Sequence, residues 1–173
     1  MADAGNVADS THNETNQAKK SGEIHDRTLA RVTCRTFLVA SLYVETSALL
    51  KCYVLEPESD ECQSFLDEFS HWITSRITVT ETLINLRKRL STTEFEIAAK
   101  LFQTDIKVFD VVEFDTNLSL RASEVAAGNG LAMLDAIHLA SALRAKGPQV
   151  AFLTYDKRLA ICARKSGLKV LGN

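Results

Sequence analysis

From about residue 37 onward, short apolar runs alternate with amphipathic stretches, and this alternation confines the chain to a small set of folds. Segments 38–44, 71–75, 109–112, 150–154 and 169–171 read as strands. Between them, 47–54, 59–69, 78–90, 93–107, 116–127, 134–146 and 157–166 read as helices. Local chemistry marks their ends. Pro57 lies just past the first helix, and Thr93-x-x-Glu96 opens the fourth as a capping box. Gly128, Gly147-Pro148 and Gly167 end the last three. Cys62, Phe65, Leu66 and Phe69 share one face of the second helix, and Leu83, Ile84, Leu86 and Leu90 form the expected buried side of the third. Strands separated by helices pair in parallel through crossovers. The expected fold is therefore α/β, three layers, with helices on both faces of a mostly parallel central sheet. In such sheets, ligands bind beyond the carboxyl ends of the strands.

Residues 1–36 differ from the rest. They are rich in Asn, Ser, Thr, Asp, Lys and Gly and poor in large apolar side chains. Such a stretch buries too little to offset its ordering entropy, so it reads as a disordered tail ahead of one domain spanning 37–173. It lacks the charged-then-apolar pattern of a signal peptide and carries too many acids for a transit peptide. No apolar run is long enough to span a bilayer. Cys34, Cys52, Cys62 and Cys162 form no C-x-x-C pair, consistent with buried or free thiols in a reducing cytoplasm. The net charge of −2 gives no overall basic footprint, so a nucleic-acid partner would need a local patch or metal ions. The seven glycines form no phosphate-binding loop.

Four carboxylates fall where the strand-end rule points. Glu45 follows the first strand, Glu81 lies at the start of the third helix, Asp135 opens the sixth, and Asp156 follows the fourth strand. Each also has a local reading. Glu81 can close a capping box with Thr78, Asp156 can be an N-cap, Asp135 suits the positive end of a helix, and Glu45 can be a solvated strand end. A parallel sheet would bring all four near one edge. Like charges in one cleft repel until some protonate or a hard cation neutralises them, and Mg²⁺ prefers carboxylate oxygens plus waters.

The motifs Tyr43-Val44-Glu45-Thr46-Ser47-Ala48-Leu49, Leu134-Asp135-Ala136-Ile137-His138-Leu139-Ala140 and Leu153-Thr154-Tyr155-Asp156-Lys157-Arg158-Leu159 resemble those of the PIN-domain ribonucleases, above all VapC-type toxins of type II toxin–antitoxin pairs. The resemblance implies a PIN-like fold and metal-dependent endonucleolytic cleavage of RNA. The family's four acids correspond to Glu45, Glu81, Asp135 and Asp156, which would hold Mg²⁺, with Mn²⁺ as a substitute. Ser47 and Thr154 match supporting hydroxyls. The departure is Glu45, where the family almost always has Asp. A neutralising antitoxin laid across the acidic cleft and a homodimer are further implications.

Asn85, one turn after Glu81, can orient it or be a plain surface amide. His138 can face the cleft or pack in its helix. Lys51, Arg87, Lys88, Arg89, Lys157 and Arg158 are candidate phosphate contacts, although Arg87-Lys88-Arg89 also reads as a solvated face. A competing reading is a PIN fold weakened by Glu45 that only binds RNA or protein. A phosphatase or receiver domain fits poorly, because each needs a nucleophilic aspartate where this chain has Glu45.

Overall fold

The computed structural model describes residues 41–145 and 150–173. The expected tail 1–36, positions 38–40 and the Gly147-Pro148 helix stop lie outside them. In chain order the elements are β1 (Ser41–Val44), α1 (Thr46–Leu50), α2 (Ser59–Asp67), β2 (His71–Ser75), α3 (Arg76–Arg89), α4 (Thr92–Asp105), β3 (Asp110–Val112), α5 (Thr116–Asn129), α6 (Met133–Arg144), β4 (Val150–Leu153), α7 (Lys157–Lys165) and β5 (Lys169–Leu171). The strands form one sheet in the order β3-β2-β1-β4-β5, and every neighbouring pair is parallel.

Strand side chains alternate between two cores. Leu42 and Val44 face one side, with Leu49, Leu66, Leu86 and Phe102 from α1 to α4. Tyr43, Ile73 and Phe152 face the other, with Leu118, Leu139 and Leu159 from α5 to α7. The Tyr43 and Phe152 rings stack there at 5.2 Å. Burying each such large apolar side chain contributes roughly 1.5–3 kcal/mol. The three-layer arrangement expected from the alternation of strands and helices is the one observed.

Several boundaries differ from expectation. Helix α3 begins at Arg76, directly off β2, with the Ser75 hydroxyl as its N-cap. Glu81 therefore sits in the second turn and closes no box with Thr78, whose hydroxyl accepts from Thr74 instead. Thr78, Thr82 and Leu86 are the buried stripe of α3, while Ile84 is 48% exposed. The capping box of α4 is Ser91 with Glu94, not Thr93 with Glu96. Helix α5 runs through Gly128 and ends at Gly130, whose φ of 63° is left-handed backbone that glycine adopts without steric cost.

Candidate active site

The strand order reverses around β1. The chain places β2 and β3 on one side of it, then β4 and β5 on the other. A crevice opens beyond the carboxyl ends of β1 and β4, where this reversal separates the crossing helices. Glu45 and Asp156 stand there. The Glu45 N–H donates to the Leu153 carbonyl at 3.1 Å, carrying the β1–β4 pairing one residue further.

Glu45 is 7% exposed and caps α1. Its Oε2 accepts from the Ser47 N–H at 3.0 Å, from the Ser47 hydroxyl and from the Thr154 hydroxyl at 2.9 Å. The same two hydroxyls accept from the next turn of chain: Ser47 Oγ from the Tyr155 N–H at 2.8 Å, and Thr154 Oγ1 from the Asp156 N–H at 3.1 Å. Ser47 and Thr154 thus hold the Glu45 carboxylate and tie it to the backbone that carries Asp156.

Glu81 reaches the cleft from α3. Its Oε2 lies 2.6 Å from His138 Nε2 and accepts from the Thr46 hydroxyl at 2.7 Å. His138, on α6, is 1% exposed. Its Nδ1 is hydrogen-bonded to the Tyr43 hydroxyl at 3.1 Å, and its Nε2 stands 3.8 Å from Glu45 Oε1. Burial opposes charge on both partners of this pair. On Glu81 it is outweighed by the bond to His138, that ring's charge and the Thr46 hydroxyl, which hold the carboxyl below its usual range. On His138 it is outweighed by the Glu81 bond and the charges of Glu45, Glu81 and Asp135, which raise the imidazole above its usual value.

Asp135 lies in the first turn of α6, and Asp156 is the N-cap of α7, its Oδ1 accepting from the Leu159 N–H at 2.7 Å. Burial, then the charges of Asp156 and Glu45, push the Asp135 carboxyl above its ordinary value, against a weaker pull from His138 and Arg158. The acids form a chain of neighbours: Glu81 meets Glu45 through His138, and Asp135 meets both Glu45 and Asp156 through their charges.

The donor chemistry suits a hard cation. Among the described residues, Glu45, Glu81 and Asp156 each give one carboxylate oxygen to the scaffold and leave the other without a hydrogen bond, and Asp135 leaves both. No three His, Cys, Asp or Glu side chains among the described residues stand together as a metal cage. Free carboxylate oxygens are the ligand type that Mg²⁺, which takes one or two carboxylates and completes its shell with water, prefers.

The remaining candidates divide. Asn85 lines the cleft, but its amide donates to the Glu81 carbonyl at 2.8 Å, so it bonds backbone and not the Glu81 carboxylate. Lys51 is 5% exposed and bonded to Glu56 and Glu58, with its Nζ 4.6 Å from the Tyr155 ring centroid. Arg87 lies over the Phe95 ring at 4.0 Å and does not line the cleft. Arg158 bonds the Gly130 carbonyl and acts on Asp135 through its charge, and Lys157 is exposed in the first turn of α7. Thr46, Tyr43 and Glu56 carry parts of the site that the sequence reading did not assign. Arg89, one of the candidate phosphate contacts, lines the cleft: Glu81, Asn85 and Arg89 repeat at i, i+4, i+8 and share one helix face, from which Arg87 is turned away.

Comparisons with known proteins bear on the family and the fold. The PIN domain matches residues 42–165. Ribonuclease VapC35 of Mycobacterium tuberculosis is 34% identical over 135 residues, covering 75% of this chain and 95% of that protein. Among solved structures, FitAcB from Neisseria gonorrhoeae superposes with a TM-score of 0.59 at 18% identity, over 75% of this chain and 96% of that one. A chain of a toxin–antitoxin complex from Klebsiella pneumoniae superposes at 0.54 and 19% identity, over 69% and 90%. The two structural likenesses speak for the fold; the sequence matches show that the chain belongs to the PIN-domain family and is VapC-like within it.

Proposed function

We propose that this chain is a Mg²⁺-dependent endoribonuclease, the toxin of a toxin–antitoxin pair, working in the cytoplasm. The observation that carries the reading is pairwise: His138 lies between Glu45 and Glu81, and Asp135 is close enough to Glu45 and Asp156 for their charges to act on it, with carboxylate oxygens left over among the described residues. The name of the VapC35 relative supports RNA as substrate, and the likeness to a chain of a toxin–antitoxin complex supports an antitoxin partner. A homodimer goes with the same family reading.

Glu45, Glu81, Asp135 and Asp156 would hold magnesium, or manganese in its place, which when bound would lower the pKa of a water and offset charge on the leaving oxygen. The chain's own groups do the rest. Ser47 and Thr154 hold Glu45 in one rotamer, and His138 with Thr46 holds Glu81, so both present their second oxygen without further ordering. Asp135, whose carboxylate has no hydrogen bond among the described residues, would be free to orient an attacking water. The seating of Glu45 on three donors favours an enzyme over a binding module crippled by the longer side chain.

Asp135→Asn and Asp156→Asn keep size and, at 156, the helix cap, while removing charge. Each is expected to lower Mg²⁺-dependent cleavage of single-stranded RNA by about 100-fold or more and to abolish growth arrest on expression. Cleavage that persists in both variants removes the acidic cluster from the mechanism.

A further inference from the structure

One end of the cleft holds a carboxylate clamped between two cations. Glu56 gives its Oε2 to the Lys51 ammonium and its Oε1 to the Arg89 guanidinium, and all three line the same hollow of about 350 Å³ as Glu45 and Glu81. An anion seated between a lysine and an arginine, with one oxygen to each, is the arrangement that also suits a phosphodiester. The three groups differ in freedom. The Lys51 side chain is 6% exposed and keeps a second carboxylate, Glu58, at 2.8 Å. The Arg89 side chain is 42% exposed, and Glu56 is its one ion-pair partner among the described residues. Glu56 itself lies in the non-helical segment between α1 and α2, 25% exposed, so it can leave without unwinding a helix.

We propose that Glu56 occupies the place of an RNA phosphate: in the free protein it neutralises Lys51 and Arg89, and an incoming backbone phosphate displaces it from Arg89 and bonds both cations. The inference rests on the ribonuclease reading of the same cleft. It makes Arg89 the backbone contact on α3, in the stripe shared with Glu81 and Asn85, where Arg87 is held on Phe95. It also accounts for a buried lysine at the floor of an acidic site, since Glu58 keeps Lys51 compensated while Glu56 is away.

The test uses the full chain carrying Asp156→Asn, with binding of a fluorescein-labelled single-stranded RNA 12-mer followed by anisotropy in buffer with EDTA. Removing the competitor in Glu56→Gln is expected to tighten binding about fivefold, the strength of one exposed ion pair. Arg89→Gln is expected to weaken it about tenfold and to reduce the log–log salt slope by about 0.7. The double variant is expected to bind no more tightly than Arg89→Gln alone. Should Glu56→Gln fail to fold, Glu56→Asp shortens the arm, withdraws it from Arg89 and is expected to tighten binding likewise. Binding that is unchanged or weaker in a folded Glu56 variant overturns the proposal. Its failure is separable from failure of the nuclease reading: loss of cleavage in Asp135→Asn with no effect of Glu56→Gln sinks only the phosphate seat, and tighter RNA binding with cleavage intact in Asp135→Asn sinks only the acid mechanism.

Discussion

Glu45 is one methylene longer than an aspartate, and its neighbours meet that length. Its Oε2 is the acceptor for Ser47 and Thr154, whose hydroxyls in turn accept from the backbone at Tyr155 and Asp156. Glu45→Asp withdraws the carboxylate from these donors and is expected to lower cleavage about tenfold, the cost of one or two charge-assisted hydrogen bonds. A rise in activity would instead identify Glu45 as a weakened form of the site. The buried pair behind it makes a second prediction. His138→Leu leaves Glu81 without its main partner, and the loss is expected to be about 2 kcal/mol, below the roughly 3–5 kcal/mol of fully buried pairs because Glu81 keeps some solvent contact. Thermal unfolding of His138→Leu beside the double His138→Leu/Glu81→Leu variant reads this out, the double recovering part of the loss. The acids at positions 45, 135 and 156 could be picked from sequence because strand ends and helix starts are visible there. The role of His138 could not, since its position three residues after Asp135 suits either packing or the cleft, and only the rotation of α6 against Glu81 decides. Sequence composition alone did not separate Arg87 from Arg89 as phosphate contacts; the helix stripe defined by Glu81 and Asn85 does.

Among the elements, hydrophobic periodicity located nearly every strand and helix, and errors gathered at their ends. Ser91-Thr92-Thr93 followed by Glu94 and Glu96 offers two overlapping capping boxes. The outer one forms because α3 continues to Arg89 with Leu90 buried beneath it, leaving Ser91 as the first residue free to cap. Ser91→Ala is therefore expected to cost about 1 kcal/mol in urea unfolding, and Thr93→Ala close to nothing. Equal losses would place the cap elsewhere. Likewise Gly128 looked like a helix end, yet the left-handed turn falls on Gly130. Two glycines so close cannot be ranked by local propensity, because the packing of α5 against α6 sets where the helix stops.

Across the whole molecule, the strand order β3-β2-β1-β4-β5 converts distant sequence positions into one site. The parallel layering followed from the alternation of strands and helices, but which strand is central did not, since pairing order depends on contacts far apart in the chain. The opposite layer is tied together by Asp115, the N-cap of α5, whose carboxylate takes a two-pronged bond from Arg144 of α6 at 2.8 and 2.7 Å. Those bonds and the cap pull its pKa down to about 2. Its contribution is complete above the ordinary aspartate value near pH 4 and is lost as pH falls toward 2. The difference in melting temperature between wild type and Asp115→Asn is thus expected to be widest above pH 4 and to close toward pH 2; a gap constant across that range would contradict the pairing.

All of this depends on the strand-end acids serving one hard cation. A crystal soaked in MnCl₂, with data collected for anomalous scattering from manganese, examines that claim without relying on activity. An anomalous peak is expected beyond the carboxyl ends of β1 and β4, in contact with Glu45 and Asp135, and is expected to vanish in Asp135→Asn. A well-ordered site with no peak at millimolar manganese, or a peak bound elsewhere and untouched by that substitution, would contradict it.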